Sequence, residues 1–304
     1  MTPTNATTAE LDSRFAIAGL AQIVPDEAGH PKVRISSPKC TGVMHLHGAQ
    51  VNSWKPADTE EVIFLSSRAS FAEGKAIRGG IPICFPWFRG KSDDAHAPAH
   101  GVVRTKLWTL ESIAQQDGDV VVSMSTESGD DTKKWWPGDF RAVLRVTFGA
   151  TLKLEFTVSN TGTAPMRFEA ALHTYYHVGD IRKARLQGLD GATYLDNTDG
   201  NREKIQAGRV AIGAATDSAY INNENALELI DPVLKRRIHI AKKNSHTTVV
   251  WNPWDAAAAK MADLGEGEWQ KMFCAEAANI LVNAVTLAPG AQHTIGATTT
   301  VSAL

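Results

Sequence analysis

A chain of 304 residues with 43% hydrophobic content can bury a large core, and all-β units of this length commonly fold as one domain, so a single domain spanning 1–304 is expected. The net charge of −2, with no arginine- or lysine-rich tract, argues against nucleic acid or an anionic membrane as main partner. No leader-like N-terminal pattern and no window near the roughly 18 apolar residues of a membrane span are present, so a soluble, cytoplasmic, monomeric protein is expected.

In chain order, the first element is a short helix over TTAELDSRF, Thr7 to Phe15. The segment from Lys75 to Arg104 is a short apolar strand-like run enclosed by Arg78 on one side and by His100 and Arg104 on the other. Cationic groups at both ends predict an anion site, and Gly79, Gly80, Pro82 and Pro86 predict a tightly shaped backbone walled by Phe85, Trp87 and Phe88. Strands are predicted at VVVSMSTES (120–128) and FRAVLRVTFGA (140–150), with a short helix in the Thr126 to Trp135 stretch. In TLKLEFTVSN, Leu152, Leu154, Phe156 and Val158 alternate with polar residues, Asn160, Gly162 and Pro165 mark a turn, and 164–178 reads as the hairpin partner. Further strands are predicted at 236–244 and 246–252, with Lys235, Arg236 and Arg237 at a solvated strand end. A short helix over 256–264 follows Pro253, and a closing strand lies within 288–304.

Period-2 patterning dominates, and many short strands with turn signals imply an all-β sandwich or barrel rather than a βαβ fold. On the Met166 to Val178 strand, Met166, Phe168, Ala170 and Leu172 share one face, leaving Glu169, Ala171, His173, Tyr175 and His177 on the other. Around 274, Met272, Cys274, Glu276 and Ala278 share a side, and an acid in so apolar a run requires explanation because an isolated buried carboxylate is costly. Cys40, Cys84 and Cys274 are widely spaced without a CxxC, which indicates neither a disulfide framework nor a zinc site; Cys84 and Cys274 read as buried core thiols.

RGGIPICFPWF with AHGVVR resembles the bacterial glucose-6-phosphate 1-epimerases, or hexose-6-phosphate mutarotases, of the aldose 1-epimerase (galactose mutarotase-like) superfamily. ALHTYYHVGDI, GLDGATYLD, ATDSAY, VWNPW and KMFCAEAANI agree in order along most of the chain. The resemblance implies a galactose mutarotase-like antiparallel β-supersandwich with a few short helices and a cleft on one sheet face. It further implies interconversion of the α and β anomers of a hexose 6-phosphate, most simply glucose 6-phosphate, without metal or organic cofactor. Opening the ring requires a base at the C1 hydroxyl and an acid at the ring oxygen; the resemblance assigns these to Glu276 and to a protonated His173. Substrate contacts are implied for Arg78 and Arg104, the guanidiniums that would hold the phosphate, for His100 near the ring oxygen, and for Asp217 as hydroxyl acceptor. Arg89 departs from the family pattern after PWF, the 90–98 loop is acidic and polar in its own way, and both bear on sugar selectivity.

Alternatives differ in chemistry. A free-aldose 1-epimerase would share the acid and base but not need the arginines. A cupin-like metal enzyme is prompted by His45-Leu46-His47, but no glutamate follows shortly after. A non-catalytic carbohydrate-binding sandwich would use Trp87, Trp135, Trp136 or Trp254 as platforms and would not need His173 with Glu276. Asp190, Asp196 and Asp199 read as solvated turn residues without calcium-loop spacing.

Overall fold

The alternation in TLKLEFTVSN becomes the Leu152–Asn160 strand, which buries Leu152, Leu154, Phe156 and Val158 and leaves the intervening side chains partly exposed. This strand sits within an eight-stranded antiparallel sheet in the order Arg185–Gln187, Leu227–Asp231, Arg236–Lys243, Gln292–Ala303, Leu152–Asn160, Phe140–Phe148, Asp119–Glu127, Thr109–Gln116. A second eight-stranded sheet runs Arg202–Ile205, Thr193–Asp196, Thr216–Tyr220, Thr247–Asn252, Met272–Asn279, Ala170–Leu172, Ile83–Cys84, with Tyr175–His177 also paired to Met272–Asn279. A four-stranded meander, Ala21–Pro25 through Gln50–Pro56, completes an all-β architecture that agrees with the expected fold class. The computed structural model describes residues 6–304.

The expected hairpin between 151–160 and 164–178 does not form. Asn160 redirects the chain: its Nδ2 donates to the carbonyls of Ala164 at 2.9 Å and Leu287 at 3.0 Å, and its Oδ1 accepts from the Gly162 amide at 3.0 Å. The segment continues as three short strands: Met166–Phe168 forms a separate two-stranded sheet with Val285–Leu287, and Ala170–Leu172 and Tyr175–His177 join the second large sheet on Met272–Asn279. At the first break, Glu169 accepts from the amides of Phe88 at 2.9 Å and Leu281 at 2.7 Å. That carboxylate ties the Phe88 loop to the sheet.

Aromatic packing fixes the Lys75 to Arg104 segment. Phe85 meets Phe140 at 4.8 Å, Phe168 at 5.2 Å and Trp136 at 5.7 Å between ring centroids, so it belongs to the core and not to a pocket wall. Truncating so buried a phenylalanine to alanine costs about 3–5 kcal/mol. Gly80, at φ 68°, is required by close approach, since a Cβ there would stand 2.6 Å from the Val51 carbonyl oxygen.

Arg236 corrects the reading of a solvated strand end. Only 4% exposed, its guanidinium donates to the carbonyls of Glu60 at 3.2 Å, Glu61 at 3.0 Å and His177 at 2.6 Å, and so joins the two large sheets. Short helices form at Thr8–Phe15, Asp130–Lys133 and Trp254–Ala258, the first closed by a capping box between Thr7 and Glu10. The last two are shorter than the sequence pattern indicates. Among the described residues no helix is long and apolar enough to cross a membrane.

Candidate functional site

Register places the chemistry on one sheet face. Cross-strand pairing aligns Asp217 with Trp251 and Trp251 with Cys274, Val249 with Glu276, and Tyr175 with Cys274. Side-chain alternation then puts Asp217, Val249, Trp251, Glu276, His173 and Tyr175 on the same side of adjacent strands about 4.8 Å apart. Small residues, Ala171, Ala219 and Ala278 with Val249 and Cys84, form the floor of this face, so a hollow remains above it. Loops close the hollow into a pocket of about 220 Å³ lined by Arg78, Phe88, Arg89, Ala99, His100, Arg104, His173, Tyr175, Asp217, Val249, Trp251 and Glu276.

All six residues singled out in the sequence line this pocket. His173 Nδ1 lies 3.4 Å from Glu276 Oε1, and neither that nitrogen nor either Glu276 oxygen has a hydrogen-bond partner within the protein. A 0% exposed carboxyl with no internal donor is costly in charged form. Burial, and next the negative charge of Asp217, push Glu276 well above the usual carboxylate range, against the opposing charge of Arg89. Burial, then the guanidiniums of Arg104 and Arg78, push His173 down to about 3. The expected imidazolium therefore gives way to a neutral ring, because the imidazole is fully buried and its charged neighbours are cationic rather than acidic.

His100 is also neutral, held well below the usual histidine range by burial and then by Arg104. Its Nδ1 accepts from the Arg89 amide at 3.2 Å, which leaves the proton on Nε2 and makes that nitrogen a donor. The ring packs edge to face on His173 at 5.5 Å, and Tyr175 stacks on His173 at 4.8 Å, so the imidazole is held from both sides.

The arginines differ in company. Arg78 donates to Asp263 Oδ2 at 3.2 Å and to the Tyr175 hydroxyl at 3.1 Å. Arg104 donates to the Ala99 carbonyl at 2.9 Å, has a buried Nε without a partner, and is held down by burial and by the nearby charge of Arg78. Two guanidiniums that repel each other and share one neighbouring carboxylate make a site for an anion. At the far side, Arg89 Nη2 donates to Asp217 Oδ1 at 2.5 Å and Asn197 Nδ2 donates to Asp217 Oδ2 at 2.7 Å.

The sequence reading gave Trp251 no place in the pocket, put Tyr175 on the His173 face without a role, and flagged Arg89 for sugar selectivity without placing it; all three line the pocket. Of the suggested platforms, Trp254 packs on Trp269 at 4.5 Å, Trp136 on Phe85 at 5.7 Å, and Trp87 donates to the Pro98 carbonyl at 3.0 Å; none lines the pocket. His45 Nδ1 meets Asn52 Nδ2 at 2.8 Å and His47 Nε2 meets the Lys75 carbonyl at 2.7 Å, so both rings are engaged by the protein. Among the described residues no group of three metal-ligating side chains converges. Asp196 and Asp199 pair with Lys204 at 2.7 and 3.0 Å, as turn residues do. Cys84 and Cys274 are free and buried, and burial raises both thiols.

Residues 12–299 match the aldose 1-epimerase family. A protein of Cenchrus ciliaris provisionally named glucose-6-phosphate 1-epimerase is 33% identical over 90% of this chain and 85% of its own length. The crystal structure of a protein from Salmonella typhimurium, provisionally described as a mutarotase, superposes with a TM-score of 0.89 at 27% identity, covering 95% of this chain and 96% of that one. A galactose mutarotase-related enzyme of Lactobacillus acidophilus shares the fold, with a TM-score of 0.71 at 15% identity over 90% of this chain and 97% of the other.

Proposed function

Since the chain belongs to the aldose 1-epimerase family, we propose that it is an isomerase interconverting the α and β anomers of a hexose 6-phosphate, with glucose 6-phosphate the simplest substrate. One observation carries the proposal: the order of groups across the sheet matches the order of atoms in the substrate. Arg78, Arg104 and His100 flank His173 on the Ile83–Cys84 side, Glu276 lies on the next strand, and Asp217 lies two strands beyond Glu276. A hexopyranose 6-phosphate presents its phosphate on C6 near the ring oxygen, then C1, then C2. Phosphate against the arginines sets the ring oxygen at His173 and the C1 hydroxyl at Glu276.

The chemistry follows from this placement. Burial raises Glu276 and lowers His173, so the pair favours its acidic proton on the carboxyl and a neutral imidazole. A phosphate dianion beside Arg78 and Arg104 cancels the positive field on His173, so the imidazole becomes more basic and the shared proton passes to it. Glu276, now a carboxylate, takes the C1 hydroxyl proton while His173 protonates the ring oxygen; the C1–O5 bond breaks and an aldehyde forms. Rotation about C1–C2 presents the other carbonyl face, and the reverse transfers close the ring as the other anomer. Phosphate binding thus readies the acid and the base, a form of catalysis that a free sugar does not elicit.

Exchange NMR of the anomeric protons tests the reading. The protein should accelerate α/β interconversion of glucose 6-phosphate at least tenfold more, in kcat/KM, than that of glucose. Equal acceleration of both would make it a general aldose mutarotase, and binding without acceleration would make it a carbohydrate-binding sandwich.

A further inference from the structure

We propose that Arg89 is a specificity-determining residue: its ion pair with Asp217 admits a neutral hydroxyl at C2 of the hexose 6-phosphate and rejects a cationic 2-amino group. The inference rests on the substrate orientation proposed above and extends it to the opposite end of the pocket.

Arg89 sits where glycine would be at ease. Its φ is 61°, in the left-handed region that costs a side chain bearing Cβ of order 1 kcal/mol or more. The backbone duties of the position need no particular side chain: the Arg89 amide donates to His100 Nδ1 at 3.2 Å, and its carbonyl accepts from the His100 amide at 2.7 Å. Glycine would perform both without strain. The reason for arginine therefore lies in the side chain, and backbone strain of this kind concentrates at ligand-binding positions.

The side chain is built into the site. Its guanidinium carbon lies 5.6 Å from the Phe88 ring centroid, Nη2 holds Asp217 Oδ1, and the buried Nε has no partner within the protein. Asn197 occupies the other Asp217 oxygen. Asp217 is thus not an open carboxylate but a paired one, and the side chains facing C2 are one cation and one anion in contact.

C2 is placed there by connectivity. C1 has two ring neighbours; if the ring oxygen is at His173 and C1 at Glu276, C2 falls on the side of Asp217 and Arg89. A 2-hydroxyl suits that pair, accepting from a guanidinium N–H and donating to the carboxylate. An ammonium at C2 meets the guanidinium of Arg89 as a like charge, while the Asp217 charge that would attract it is already used. Removal of Arg89 frees Asp217 to pair with the ammonium.

The experiment compares kcat/KM for glucose 6-phosphate and glucosamine 6-phosphate at pH 6.5–7, where the amine is protonated, in the wild type and in Arg89→Gly, which suits the backbone conformation. The wild type should prefer the hydroxyl sugar at least tenfold, and Arg89→Gly should reduce or invert that preference by at least tenfold. Arg89→Gln, which keeps bulk and removes charge, should act the same way. For a variant without turnover, the ratio of the two dissociation constants by calorimetry carries the test. An unchanged ratio in both variants, with glucose 6-phosphate still bound, overturns the role of Arg89 and leaves the proposed activity standing. A wild type that accelerates neither sugar phosphate fails the proposed activity instead.

Discussion

Replacing Arg104 by alanine should weaken use of the phosphorylated sugar without harming the fold, and the structure sets the size of the effect. Arg104 has no carboxylate partner among the described residues; it holds the Ala99 carbonyl and offers a buried, unpartnered Nε. A charge-assisted hydrogen bond contributes about 1.5–3 kcal/mol, and about 1.4 kcal/mol is a factor of ten, so one lost phosphate contact predicts roughly a 10- to 150-fold rise in KM for glucose 6-phosphate. Loss of its charge also removes part of the field acting on His173, so kcat should change less than KM. The mutation relieves repulsion from Arg78, so the melting temperature should stay level or rise. The assay is anomer exchange on glucose 6-phosphate and on glucose, with melting followed in parallel. An equal loss on both sugars would refute the phosphate assignment, because free glucose has no dianion for Arg104 to hold.

Arg78→Ala should be more damaging than Arg104→Ala on the phosphorylated sugar, since it also leaves Asp263 as an unpaired anion beside the phosphate; Asp263→Asn in the same chain should recover part of the loss in KM, and no recovery would argue against this cause. The acid limb of kcat/KM for glucose 6-phosphate should fall near the second phosphate ionisation, about pH 6, and be absent with glucose; identical limbs would place that titration on the protein. Glu276→Gln should stabilise the protein increasingly as pH rises. The folded-state carboxyl titrates above its unfolded value, so the stability it contributes is complete below about pH 4.5 and lost as pH climbs through the folded value. Each unit of upward shift is worth about 1.4 kcal/mol, or about 2–4 °C in a domain of this class, and a pH-independent difference in melting temperature would contradict the burial argument.

The site was legible where one strand carries its own pattern. Alternation alone put His173 and Tyr175 on one face and Glu276 on the odd apolar run, and both strands pack as that parity requires. What could not be read was pairing between distant segments. The 151–160 strand finds its partners in 140–148 and 292–303, and nothing local distinguishes that from a hairpin with 164–178. The same limit hid Trp251, which reaches the pocket only because it pairs with Asp217 on one side and Cys274 on the other. Arg236 misled for a related reason: a basic run resembles a solvated strand end until the facing sheet supplies three carbonyls. The protonation of His173 depended first on its burial and then on Arg104 and Arg78, which lie about 70 to 95 residues away in sequence and beside it in space.

The most direct test of the central claim is exchange NMR of glucose 6-phosphate anomers with Glu276→Gln, paired with its dissociation constant. Gln keeps the shape of the side chain and removes the base, so the variant should bind glucose 6-phosphate within a few-fold of the wild type and accelerate exchange at least about 100-fold less. Wild-type exchange by Glu276→Gln would show that the buried carboxyl facing His173 is not the base, and the acid–base account would fall.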